Sequence, residues 1–169
     1  HKEYRRQRQM CIRDSPAART RATTHQGKAR TYMSWDVLLC KFSRKYTHVD
    51  QMAKDEKFLV LGVRDEIQAI ISSIFPGTDW NDSSWGHYSG NYGSFEFNLG
   101  DNDPTTSLFL HIRGCGAHTI SGILKLCEHL DCQAIDCNDS RILDQVSDPT
   151  SGLRQWQAYR DQIVGNVAE

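Results

Sequence analysis

Nowhere does this chain carry the roughly 18 consecutive apolar residues that a helix needs to cross a bilayer. The apolar run after Met33 is short and is interrupted by Asp36 and Lys41, which excludes a signal peptide. No two cysteines have the Cys-x-x-Cys spacing of a zinc ribbon or a thiol redox motif. The chain also lacks internal repeats and any catalytic signature, so no catalytic residue, no cofactor and no bound metal is expected. Basic residues are scarce once the first 32 positions are excluded. Those positions hold nine of the twenty Lys and Arg and two of the twenty-one Asp and Glu. Residues 33–169 then have 11 basic and 19 acidic residues, a formal net charge of −8. That charge repels phosphate backbones and anionic membranes, so neither nucleic acid nor a membrane is an expected partner.

The exclusion of residues 1–32 rests on the sequence. Back-translated, Arg5 to Ser15 (RRQRQMCIRDS) can be written as the read-primer and transposon-end portion of a tagmentation adapter, and His1 to Tyr4 fits the preceding primer tail and index. Residues 1–15 are therefore expected to be translated adapter rather than an Arg-rich arm that binds nucleic acid. Pro16 to Tyr32 contains Arg19, Arg21, Lys28 and Arg30 without an acid, and is expected to be untranslated or disordered. Met33 is then the expected start. Its 137-residue remainder suits a domain at 33–145 with a helix at 146–169 packed on it. Without Cys11, five cysteines remain: Cys40, Cys115, Cys127, Cys132 and Cys137. An odd number argues for reduced, largely buried thiols in a cytoplasmic protein.

Hydrophobic periodicity supplies the element order. Trp35 to Phe42 reads as a buried strand, and Ser43 to Lys57 as a polar loop. Val63 to Phe75 places Val63, Ile67, Ile70, Ile71 and Ile74 on one face of a helix that Pro76-Gly77 ends. Asp79 to Gly93 reads as a loop rich in Trp, Tyr, Gly, Ser and Asn, with a short strand at Trp85–Tyr88. Ser94–Leu99 and Ser107–Arg113 alternate as half-buried strands. Ala117–Leu130 is a second amphipathic helix and Gln133–Cys137 a last strand. Asp148-Pro149 is a helix start, followed by the apolar face Leu153, Trp156, Tyr159 and Ile163. The order predicts an α+β fold: a ferredoxin-like βαββαβ antiparallel sheet with two helices on one face, plus a C-terminal helix.

The strings MSWDVLLCKF, FPGTDW, FEFNLG, LHIRG, AIDC and QWQAYRDQIV resemble a group of short, uncharacterised bacterial proteins. The resemblance spans most of residues 33–164 and implies no functional residue. Cys115 stands where the group's pattern suggests Gly, which weighs against a catalytic thiol.

Two constellations are candidate sites. Alternation sends Phe95, Phe97, Leu99, Leu108, Leu110 and Ile112 toward the helices, and Glu96, Asn98, Phe109, His111 and Arg113 to the other face. A carboxylate, an imidazole and a guanidinium gathered there could bind an anion or transfer protons; the plainer alternative is a solvated face with a Glu96–Arg113 pair. The aromatic loop residues Trp80, Trp85, His87, Tyr88 and Tyr92 form either a recognition surface or a cap on the core. Three motifs fail. Asp79-Trp80-Asn81-Asp82 begins like a calcium loop but has Ser84 and Gly90 where Gly and Glu are needed. His111, Cys115 and His118 lack fixed metal geometry. Gly114-Cys115-Gly116 is too slight a signal for an anion loop. Size and acidity point to a binding or accessory protein, immunity-type or regulatory, whose partner is another protein. The alternative is a small enzyme or anion sensor on the open face.

Overall fold

A computed structural model describes residues 33–165; the expectations for residues 1–15, for 16–32 and for the last four positions lie outside that range. The described residues form an α+β structure, a six-stranded antiparallel sheet with three α-helices. In chain order these are β1 (Trp35–Cys40), α1 (Arg64–Ile74), β2 (Asp79–Asp82), β3 (Trp85–Gly90), β4 (Gly93–Asn98), β5 (Ser107–Cys115), α2 (Thr119–Leu130), β6 (Gln133–Asp136) and α3 (Ser151–Gly165). The strands lie in the order β2-β3-β4-β5-β1-β6. The four strands of the expected βαββαβ order are therefore joined by two more: β3, which lengthens the short strand expected at Trp85–Tyr88, and β2, which was not expected. β2 is short and has a register shift against β3, so it shows no hydrophobic alternation to betray it.

One face of the sheet carries the main core. Trp35, Val37 and Leu39 of β1, Phe95 and Phe97 of β4, and Leu108, Leu110 and Ile112 of β5 are all at most 1% exposed. Ile67, Ile71 and Ile74 of α1 and Ile123, Leu126 and Leu130 of α2 join the same cluster, as their helical spacing requires. Asp65 and Glu66 occupy the first turn of α1, where the helix dipole favours acids. α2 closes with Asp131 in the left-handed region; the Cys132 and Asp131 amides donate to the carbonyls of Cys127 and Glu128, a Schellman ending.

Phe75, just past α1, is the ring on which these layers converge. It is fully buried and lies 4.8–5.2 Å, centroid to centroid, from Tyr88, Tyr92, Phe95 and Phe97. A Cβ at Gly122 of α2 would come 2.8 Å from the same ring, so only glycine lets α2 approach so closely. The β3–β4 turn has a similar demand. Gly93 has φ +114, and a Cβ there would sit 2.2 Å from the Gly114 carbonyl oxygen.

The opposite face is not wholly open. A second cluster of Cys40, Phe42, Tyr46, Ile135 and Ile142 covers its β1–β6 end. The segment 43–57 thus contributes a buried ring, where the sequence suggested only a polar loop. Its anchor is Gln133, 2% exposed, whose Oε1 accepts from the Tyr46 amide (2.7 Å) while its Nε2 donates to the Tyr46 carbonyl (2.9 Å).

α3 begins two residues after Pro149, the expected first helical position. The Asp148 carboxylate accepts from the Thr150 amide at 3.1 Å and pairs with Arg154, and regular helix begins at Ser151. Leu153 and Trp156 are buried in the main core. Tyr159 is 55% exposed, a correction to its place on the packing face. Half-buried Gln157, Arg160 and Ile163 continue the stripe, which leaves Tyr159 beside it. The helix is joined to the sheet at Asp136, fully buried, which accepts from Trp35 Nε1 at 3.0 Å. A Cβ on Gly152 would meet that carboxylate.

Phe75→Ala should cost about 3–5 kcal/mol, the range for a buried aromatic; Phe58→Ala, at a 41% exposed ring, should cost less than about 1 kcal/mol. Urea unfolding of both variants checks this contrast. A second expectation concerns acid. Hydrogen bonds from Arg154 and Thr150 hold the Asp148 carboxyl at about 2, below its ordinary 3.8. A lowered folded value means that the contribution is complete above the unfolded value and is lost as pH falls from there through about 2. Between pH 5 and about 2 the melting temperature of wild type should therefore fall more than that of Asp148→Asn. Parallel curves would show that the cap contributes nothing.

Candidate functional site

The remaining part of the second face, over β2–β3–β4–β5–β1, carries the polar residues. Directly opposed residues in antiparallel strands point to the same side. The register pairs Asp79 with His87, His87 with Glu96, Glu96 with His111 and His111 with Asp36. A single row therefore runs Asp79–His87–Glu96–His111–Asp36 across five strands, acid and imidazole in alternation. The neighbouring row runs Asp82–Trp85–Asn98–Phe109–Leu38.

Three of the four expected polar residues come together. Arg113 binds Glu96 with both arms of its guanidinium, Nε to Oε1 at 2.6 Å and Nη2 to Oε2 at 3.0 Å. The β4–β5 register explains the reach. Ser94 pairs with Gly114 and Phe95 with Ile112, so Arg113 is the extra residue of a bulge. His111 lies between the Trp85 ring (5.5 Å, 13° from parallel) and the Phe109 ring (5.9 Å, 18°). Its Nδ1 donates to Asp36 Oδ1 at 2.9 Å, since an ionised carboxylate can only accept. Ser34 Oγ donates to the same oxygen at 2.7 Å. The imidazole is thus held in position by Asp36 through Nδ1. Asn98 does not join the set. Its Oδ1 accepts from the Gly100 amide at 2.9 Å and serves the turn after β4.

The aromatic loop does not form one surface. Strand alternation divides it. Tyr88 is 8% exposed, and Tyr92 packs on Phe75 and beneath Lys125. Trp80 lies over Gly86, where a Cβ would be 2.7 Å from its ring, and donates to Ser72 Oγ at 3.0 Å. These three cap the helix-side core. Trp85 and His87 lie on the other face and join the polar row.

Asp36, Asp79 and Asp82 belong to this face and were missed by the sequence reading. Asp36 had a signal: it is the one charged residue in WDVLLC, out of phase with Trp35, Val37 and Leu39. Asp79 and Asp82 had none, because β2 was not recognisable as a strand. Hydrogen bonds from the Ser84 amide and hydroxyl hold the Asp82 carboxyl below its usual range. Cys115 is half-buried, and burial pushes its thiol up, away from the thiolate a nucleophile needs. Among the described residues no group of three or more His, Cys, Asp or Glu has metal-binding geometry. No helix among them is long and apolar enough to cross a membrane.

Compared with known protein families, curated protein sequences and solved structures, the chain matches none.

A double-mutant cycle on Glu96→Gln and Arg113→Gln should give a coupling of about 1 kcal/mol, above the median for exposed pairs, because both side chains are at most 30% exposed. A coupling below about 0.3 kcal/mol would mean that the pair is no stronger than a solvated ion pair.

Proposed function

We propose that this chain is a small binding protein, and that its contact surface is the sheet face bearing Trp85, His111 and the acid–imidazole row. The observation that carries the reading is the stacked Trp85–His111–Phe109 group. It places two large rings on a face that none of the three described helices covers and fixes them through Asp36 and the strand register. Fixed aromatic side chains lose little entropy on contact, which is why Trp and Tyr dominate interface energies. The expected partner is another protein, met in the cytoplasm by an accessory or immunity-type factor of bacterial origin, in keeping with the resemblance noted above. The four strands β4-β5-β1-β6 have the order of a ferredoxin-like sheet, and we read β2–β3 as a hairpin added at one edge that widens the contact face.

The same geometry weighs against the other roles. An anion sensor needs a guanidinium to offer, and Arg113 is already held at both arms by Glu96. Single-stranded nucleic acid would gain the stacking platform of Trp85 and Phe109 but meet four carboxylates in its path. The Asp36–His111 pair favours acid–base chemistry as a second reading, because it orients an imidazole as hydrolytic dyads do.

Affinity capture from a bacterial host should recover a stoichiometric protein partner with wild type, and lose it with Trp85→Ala and Phe109→Ala variants whose melting temperatures stay close to wild type. A partner retained by both variants would move the contact surface elsewhere.

A further inference from the structure

We infer that the partner presents a cationic, arginine- and lysine-rich segment to this face. The inference rests on the binding reading above and specifies its chemistry. Strand register places four carboxylates, Asp36, Asp79, Asp82 and Glu96, on the face, against the guanidinium of Arg113 and, beside Asp82 at the β2–β3 turn, that of Arg64. Glu96 is taken by Arg113 and Asp36 by His111. Asp79 and Asp82 form no ion pair among the described residues. Both are exposed; Asp82 lies opposite the partly exposed Trp85 and Asp79 opposite His87.

A guanidinium placed over Trp85 would gain a cation–π contact while its edge reaches Asp82, the residue directly opposite in the register. The face already holds one guanidinium by its carboxylates: Arg113 has both arms on Glu96. Arginine suits such a site better than lysine, because its planar fork can stack and bind two oxygens at once.

The test uses the full chain with two probes, a hexa-arginine and a hexa-glutamate peptide, followed by amide chemical shifts. Hexa-arginine should saturate, with shifts concentrated in 79–98, 109–113 and near Asp36, and should weaken as salt rises from about 50 to about 300 mM. Hexa-glutamate should not shift these residues. Asp79→Asn with Asp82→Asn should lower the affinity about ten-fold, and Trp85→Ala about two- to five-fold. Asp65→Asn with Glu66→Gln removes the same charge from α1, on the other side of the sheet, and should change affinity by less than about two-fold. Shifts that map away from the face, or equal losses from both acid pairs, would overturn the inference by showing attraction to net charge alone. The two readings fail separately. A captured partner that depends on Trp85 but offers an acidic or uncharged surface leaves the contact face standing and removes the cationic segment. A partner indifferent to Trp85 removes the face itself.

Discussion

The packing of Phe75 is the constraint from which most of the architecture follows. The ring is supplied by the residue that ends α1, and it touches β3, β4 and the turn between them while excluding any side chain at Gly122 of α2. One side chain therefore sets the height of both helices above the sheet. It also decides which side of β3 is inward. With Tyr88 held against Phe75, the two-residue period sends Trp85 and His87 outward. The candidate contact face is thus a consequence of how the opposite face packs.

Much of this was legible where a segment declares one period clearly. α1, α2, β4 and β5 were recognised because Ile67, Ile71 and Ile74, or Phe95 and Phe97, repeat at the spacing of their element. The grouping of Glu96, His111 and Arg113 followed from the same alternation. The failures have physical causes. β2 is four residues long with a register shift, so its only large apolar residue, Trp80, has no partner in the pattern. Asn98 alternates correctly, yet its side chain closes a local turn, and sequence spacing cannot rank a turn bond against a cross-strand one. Tyr46 sits in a polar stretch and is buried by a side-chain amide 87 residues away, a contact no local pattern encodes.

Buried polar groups act as the joints between layers. Asp136, fully buried, is bonded by the Trp35 indole and the Asn138 amide, and burial pushes its carboxyl above the usual range. Gln133 fastens the 43–46 loop to the edge strand β6 by imitating a strand's donor and acceptor. Such groups add specificity more than stability, because each must be satisfied in one geometry or cost the fold its desolvation. They fix where α3 begins and what covers the β1–β6 end, and so where the uncovered face stops.

A face with four carboxylates should strain the sheet, since like charges directly opposite one another destabilise a strand pair. The row Asp79–His87–Glu96–His111–Asp36 avoids this by interposing an imidazole between successive acids. Strands lie about 4.8 Å apart, so acids on alternate strands are separated by nearly 10 Å. That is about one Debye length at ordinary ionic strength, where repulsion between exposed charges is largely screened. His111 meanwhile offers Asp36 a hydrogen-bond donor. The arrangement lets the sheet carry negative charge across five strands at little cost in folding free energy. A cationic segment laid along the row would then meet acids at every second strand, a spacing that successive side chains on one side of an extended peptide, roughly 7 Å apart, can approach but not match in register. Long, flexible arginine and lysine side chains absorb that mismatch, whereas short rigid ligands would not.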